Sequence, residues 1–499
     1  MKLNRTNMDT ILRDSPHAAV CENADALRAV FHMPENKDVN IREFKILGFD
    51  ACIAFLDGLS DADAISSDII RACVTLKTEY VPAAENRLTF LEEEVLYACQ
   101  LKSAETFSEI VRMMLDGLCA LFIDGCPGVL MIDTRDLPHR AVGHTNNESV
   151  VLGSQEGFVE NLRVNISLVR KHLRSSSLVT EMISVGSHNR LNAAILYVDG
   201  VTDMEAVKEA KKRLKQIELE SVSGTGQIQQ LIEDHPYSLF PQILQTERPD
   251  RTAAGLSEGQ FAILADNSPY ALLAPSTLYH FIHASDDTFM RWQYGTFLRI
   301  IRVLGMLLSL LLPAVYLALT QYHSHLLPMS LLTSIAEARS NLPFPIVGEI
   351  LIMEFSFFLI NEAGTRIPSQ IGSALGIVGA LILGQAAVSA SIISPILIII
   401  VALTGLGNFV VPSYSFSLAI EMDRLALMLA GAFFGLYGVV LGLLLLLSSL
   451  CSMRSFGAPF LSPCTPWRPH NPDIFLRLPL WKLKKRAFFA SIRANSRSV

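Results

Sequence analysis

Glu349, Glu354 and Glu362 lie in or at the edge of an apolar stretch that opens a nearly unbroken hydrophobic block running to Leu450. A carboxylate at the centre of a bilayer costs about 2.5–3.5 kcal/mol on insertion scales, so such groups face a cavity or a partner. Movement of an ion or solute is therefore the first chemistry this pattern suggests, ahead of simple anchoring. Glu354 and Asn361 are seven residues apart and fall on nearly one helix face, with Glu349 well round from Glu354. Gln385 and Ser389 could face the same cavity from the next helix. Glu354, Asn361, Glu349 and Gln385 are thus the candidate pore-lining groups. Glu362 and Arg366 read as an i,i+4 pair at a helix end, and Glu421, Asp423 and Arg424 sit just before the last apolar stretch. All five read as membrane-edge charges.

The elements that must position these groups are apolar stretches at 296–320, 343–361, 371–389, 392–407 and 425–450. Each is close to the ~20 residues that a crossing needs. Arg291, Arg299 and Arg302 stand at the first, and beyond Thr465 eight Lys and Arg residues oppose Asp473 alone. The positive-inside rule puts both ends in the cytoplasm. Five crossings cannot satisfy that parity. One stretch must be re-entrant, or 326–338 or 410–420 must add a partial crossing. The 392–407 run, broken by Ser394-Pro395 and ended by Gly405, Gly407 and Asn408, is the candidate irregular element. Gly431, Gly435, Gly438 and Gly442 form one small-residue stripe, and Gly372, Gly376 and Ala380 another. Such stripes let helices approach closely in lipid, within a protomer or between copies in a ring. Trp292, Trp467 and Trp481 flank the block as interfacial anchors, and the basic tail is suited to anionic lipid.

The other half is different. Half of the 499 residues are hydrophobic, but residues 1–290 are an ordinary globular mixture, and the net charge of −7 does not suggest a nucleic-acid partner. The eight cysteines form no CxxC pair and sit mostly among apolar residues, as free thiols in a reducing compartment do. The first residues lack the apolar core of a signal peptide, which is expected to leave this half in the cytoplasm. There is no Walker sequence, HExxH or GxSxG, and no clustered His/Cys set. Neither an enzyme, a cofactor nor a metal site is expected.

Within this half the sequence repeats. Ala51–Asp61 and Ala193–Asp203 are each an apolar run closed by Asp-Gly, at Asp57-Gly58 and Asp199-Gly200, with a helical stretch following. Ala120–Leu130 resembles Ala262–Leu272, each reading as strand, turn, strand around Asp124 or Asp266. The offset is 142 residues for both pairs of aspartates. This argues for tandem α+β subdomains in which the aspartates form turns. Phe158, Leu162, Ile166 and Val169 give one apolar stripe, read as an amphipathic connecting helix. The expected architecture is an α+β cytosolic region of two similar subdomains followed by an all-α polytopic membrane domain. Its parts are an N-terminal extension (1–40), subdomain 1 (41–150), the connecting helix with subdomain 2 (151–290), the membrane helices (291–455) and the basic tail (456–499).

Several ordered motifs carry a resemblance. They are Gln155-Glu-Gly-Phe158 with Asn161-Leu-Arg163-x-Asn165 and Arg170-Lys171, then Tyr197-Val-Asp-Gly200 and Glu233-Asp-x-Pro236-Tyr237. Thr246-Glu-Arg-Pro-Asp-Arg251, Glu362-Ala-Gly-x-Arg366-Ile-Pro368 and Ser455-Phe-Gly-x-Pro459-x-Leu-Ser-Pro463 complete the set. Together, from about residue 40 to 490, they closely resemble the GerA-type spore germination proteins, germinant-receptor A subunits and stage V sporulation AF proteins among them. Ser154 departs from a common proline, and Gly186-Ser-His188-Asn-Arg190 is less basic than usual. The resemblance makes Glu156, Asn165, Arg170, Glu247, Arg248, Asp250 and Arg251 the cytosolic signature. It implies a multi-pass protein of the spore inner membrane that forms an oligomeric channel and releases monovalent cations in germination. A receptor A subunit would work with a transporter-like B subunit and a lipoprotein C subunit. The competing readings are a secondary transporter, disfavoured because the membrane block shows no paired halves, and a non-conducting scaffold.

Overall fold

The computed structural model describes residues 10–76, 87–96, 100–135, 145, 148–366, 384–466 and 476–482. Among them the N-terminal region holds two five-stranded antiparallel sheets. The first has the order β1 (Val39–Ile46), β2 (Phe49–Leu56), β4 (Leu118–Ile123), β5 (Leu130–Asp133), β3 (Leu101–Ser103). The second repeats it as β6 (Leu178–Val185), β7 (Leu191–Val198), β9 (Phe261–Ala265), β10 (Ala271–Ala274), β8 (Leu244–Thr246). The central strands β2, β4, β7 and β9 are almost wholly buried, since helices cover both faces. The expected tight turns follow β2 and β7, where Gly58 and Gly200 have φ of 81° and 73°, a region open to glycine at no steric cost.

The duplication extends to individual hydrogen bonds. Helices α1 (Val20–Val30) and α2 (Phe107–Leu115) of the first unit correspond to α3 (Leu162–His172) and α4 (Pro249–Glu258) of the second. Asp124 accepts the N–H of Val20 (3.4 Å) and Asp266 that of Leu162 (2.9 Å), so each aspartate takes a free donor at a helix N-terminus. Asn23 ties off His17 through both its amide groups, as Asn165 ties off Val159. The stretch read as a connecting helix is therefore the first helix of the second unit. Its counterpart α1 lies in what reads by sequence as an extension.

The C-terminal region is helical: α5 (Trp292–Tyr322), α6 (Ile346–Arg366), α7 (Pro395–Phe409) and α8 (Tyr414–Ser452). By length and composition α5 and α8 could cross a membrane. Two expectations change here. The 392–407 run is not the irregular element, because Pro395 occupies the first turn of a regular helix whose Ser394 cap accepts the Leu397 N–H. The irregularity lies in α8, which is a hairpin. Gly435 at φ 63°, ψ −145° breaks it into two arms. Gly431 then abuts Val439, and a Cβ on Gly442 would stand 2.7 Å from Leu427, fifteen residues earlier. A straight helix would separate that pair by about 22 Å. The glycine spacing that reads as one stripe is thus folded upon itself, with Gly431 also meeting the Ala314 carbonyl of α5.

One apolar core joins the halves. It runs from α3 and α4 over one face of the second sheet into α5–α8. At the junction the ring of Phe416, at the start of α8, stacks on Phe281 (5.7 Å between centroids) and tilts against Phe240 (5.5 Å).

Candidate functional site

Charges lie in layers through the helical region. At its base, below α5, Asp287 is fully buried and accepts from Arg299 Nε (3.1 Å) and Arg302 Nη1 (2.7 Å). Higher up, Glu421 of the first α8 arm accepts from Asn408 of α7 (2.6 Å) and, more weakly, from Asn361 of α6 (3.5 Å). One helical turn further, Arg424 donates to Glu354 Oε2 of α6 (2.8 Å) and to Ser309 Oγ of α5 (3.1 Å). At the far end Glu349 accepts from Arg339 (3.1 Å) and from the Ser394 N–H that starts α7 (3.3 Å).

The middle layers form the site. Glu354 and Arg424 are each 1% exposed, and Glu421 and Asn408 are buried beside them. The positions come from the helices: residues 421 and 424 are three apart on one arm, and residues 354 and 361 repeat after two turns. Charge does not balance, because two carboxylates share one guanidinium. Hydrogen bonding does not balance either. Glu354 Oε1, Arg424 Nε and Asn408 Oδ1 are buried without a partner among the described residues, as is Asp423 Oδ2. Groups left so in a low dielectric are costly, and water or a rearranged packing would satisfy them.

The candidate residues therefore separate. Glu354, Asn361, Glu421 and Arg424 come together, whereas Glu349 belongs to the neighbouring layer. Arg424 and Glu421, read as edge charges, lie inside the bundle. Glu362 is exposed near the end of α6, and Gln385 is exposed on helical residues 384–389. For Arg366 only the helical backbone is described, and Gly372 and Gly376 fall outside the described residues. Ser309, Arg339 and Asp287 were not among the sequence candidates. Only the positions of the arginines hinted that they need carboxylates.

The signature residues of the N-terminal region build structure. Arg170 forks onto Asp38 (2.6 and 2.9 Å) and donates to the carbonyls of Ser175 and Leu178. Glu156 takes Lys171 (2.6 Å), and Asn165 closes its own loop. Arg248 grips Asp250 and the carbonyls of Glu148 and Ser154, Arg251 pairs with Glu148, and Glu247 accepts from Tyr270. Beside them His280 accepts the Thr277 N–H (3.0 Å). Burial, with the Arg251 charge adding, lowers its pKa to about 4.

A duplicated α+β module fused to apolar helices with buried ion pairs defines a class of membrane-associated protein. The chain matches the model of the Bacillus/Clostridium GerA spore germination protein family over residues 25–489 and belongs to that family. It is 36% identical to spore germination protein KA of Bacillus subtilis (strain 168), covering 90% of this chain and 83% of that protein. It is 35% identical to spore germination protein GerLA of Bacillus cereus, over 90% and 91%. It is also 36% identical to the uncharacterized membrane protein YfkQ of B. subtilis (strain 168), over 90% and 87%. The crystal structure of the N-terminal domain of the A subunit of the Bacillus megaterium spore germinant receptor GerK3 aligns with 53% of this chain and 98% of its own. That alignment has 26% identity and a TM-score of 0.43.

Proposed function

We propose that the chain is an A-subunit-like component of a germinant receptor. Copies of it assemble in the spore inner membrane into a gated channel that releases monovalent cations during germination. A transporter-like B subunit and a lipoprotein C subunit are its partners. The N-terminal module and the tail share the cytoplasmic side. In this reading the chain crosses six times, with α5, α6, the apolar sequence stretch 371–389, α7 and the two arms of α8. The hairpin at Gly435 supplies the crossing that five apolar stretches lack.

The observation that carries the channel reading is an outward face that does not suit lipid. Gln385, Ala386, Ser389 and Ala390 are exposed, small or polar. Large apolar side chains such as Phe355, Leu359, Leu406, Phe433 and Leu445 are prominent among the outward residues elsewhere. Small and polar faces favour water or another helix over acyl chains. Gln385 lines the pathway in this reading, with Asn361 and Glu362 towards its inner mouth. Glu354 and Glu349, each held by an arginine, act one layer behind and set the helix positions.

The test is cation flux through the full chain in liposomes, alone and with candidate B and C partners. Gln385→Ala should change conductance or selectivity, while Glu354→Ala should change opening or assembly. Unchanged flux with Gln385→Ala moves the pathway to another face. No flux under any partner condition favours the scaffold.

A further inference from the structure

Tyr237 belongs to the Glu233-Asp-x-Pro236-Tyr237 motif, yet among the described residues its ring packs against nothing. It is 101% exposed, and Leu239 beside it is 52% exposed. The turn that presents them is pinned. Gln242 holds both the N–H (2.9 Å) and the carbonyl (2.8 Å) of His235, and Phe240 N–H bonds Ser238 Oγ (3.1 Å). The turn is also bolted to the end of α8. Ser238 Oγ meets Met453 Sδ (3.4 Å), Asp234 accepts the Phe456 N–H (2.6 Å), and Ser455 Oγ donates to the Gln242 carbonyl (2.7 Å). Met453 caps the second hairpin arm, so Tyr237 stands at the depth where that arm ends.

Two other helix ends on this side carry their own exposed aromatics. Trp292, Tyr294 and Phe297 open α5, and Tyr414 opens α8. The end of α8 reads Cys451-Ser452-Met453 and has none. Tyrosine and tryptophan settle at headgroup level because one end is apolar and the other polar. We infer that Tyr237 and Leu239 enter the lipid headgroup layer and supply the missing interfacial anchor for the last helix, so that the second sheet unit is moored to the bilayer itself. The same arm exposes Leu444, Leu445 and Leu447, and exposed Arg454 adds a cation suited to anionic lipid.

This rests on the reading of α8 as a membrane hairpin, and the experiment separates the two. Tyr237→Trp is placed in a chain carrying Trp292→Phe, Trp467→Phe and Trp481→Phe. The chain is reconstituted in phosphatidylglycerol/phosphatidylethanolamine vesicles brominated near the headgroup end of the acyl chains. A parallel Phe297→Trp chain reports the membrane itself. Quenching of the Tyr237→Trp reporter comparable with that of Phe297→Trp is expected. Quenching of Phe297→Trp alone overturns the anchor, and quenching of neither overturns the membrane reading with it. Because the tryptophan-free background could fail to fold, Tyr237→benzoylphenylalanine in the otherwise native chain is the second test. A lipid photoadduct is expected, and adducts only to protein overturn the proposal.

Discussion

Arg170 and Arg424 are both buried arginines paired to carboxylates, one in the sheet region and one among the apolar helices. Arg170 is saturated: it forks onto Asp38, reaches two carbonyls, and Asp38 gains Thr180 Oγ1 (3.2 Å). Arg424 makes single bonds to Glu354 and Ser309, and its Nε and one Glu354 oxygen are left over. A bidentate, fully satisfied pair fixes one geometry. A pair with spare donors and acceptors has more than one arrangement of similar energy within reach. The sheet region is therefore the rigid reference, and the helical layer is where a change of state can be lodged.

The largest expected effect breaks the rigid side. Arg170→Ala strands Asp38 between the two sheet units and should cost about 3–5 kcal/mol, read as a fall in the denaturant midpoint. The helical side should answer differently to a matched apolar exchange. Arg424→Met alone strands Glu354, but Arg424→Met with Glu354→Leu removes both charges and should recover most of the thermal stability, with opening altered. If the double substitution is as damaging as the single one, the Arg424 pair is structural like the Arg170 pair and the contrast fails.

A pH scan sharpens the same contrast from the sheet side. His280 is neutral when folded, with its pKa lowered to about 4 from the ordinary 6.5. The stability it contributes is whole above pH 6.5. Between 6.5 and 4 the unfolded chain takes up a proton that the native site refuses, so stability falls as acid is added. The loss approaches about 3 kcal/mol near pH 4. His280→Asn, which keeps an acceptor for the Thr277 N–H, should flatten this acid limb. An unchanged limb would assign the acid sensitivity to other groups.

The tandem sheets were legible because the repeat preserves spacing. Asp57 and Asp199, and Asp124 and Asp266, kept their offset because each serves a turn or helix start that tolerates no insertion. The membership of α1 and α3 in the repeat was hidden, since their shared feature is a pair of asparagines tying off preceding loops, at Asn23 and Asn165. Among the helices, apolar stretches announced themselves but their ends did not. A periodic pattern through Gly431, Gly435, Gly438 and Gly442 is the same for a straight helix and for one that reverses. Only the positive φ at Gly435 distinguishes them, and no residue count carries it. Partners were equally silent. Arg424 stood near two acidic residues in sequence, Glu421 and Asp423, yet its carboxylate came from Glu354, seventy positions away.

The smallest expected effect concerns that reversal. Gly435→Ala places a Cβ on a positive-φ backbone (φ 63°, ψ −145°) that glycine alone adopts readily, costing about 1–3 kcal/mol, and the side chains of Tyr322 and His323 stand 3.0–3.2 Å from where it would sit. A modest fall in melting temperature is expected. The fall alone would not separate a hairpin from a kink, so the geometry needs its own measurement. Leu427→Cys with Gly442→Cys, in a chain with Cys451 and Cys464 replaced by alanine, should oxidise readily to a disulfide within one copy. A straight helix holds the two about 22 Å apart, beyond any such bridge. Bridging confined to pairs of copies would remove the sixth pass. The basic tail and the sheet region would then lie on opposite sides of the membrane, and Met453 would no longer lie beside Ser238.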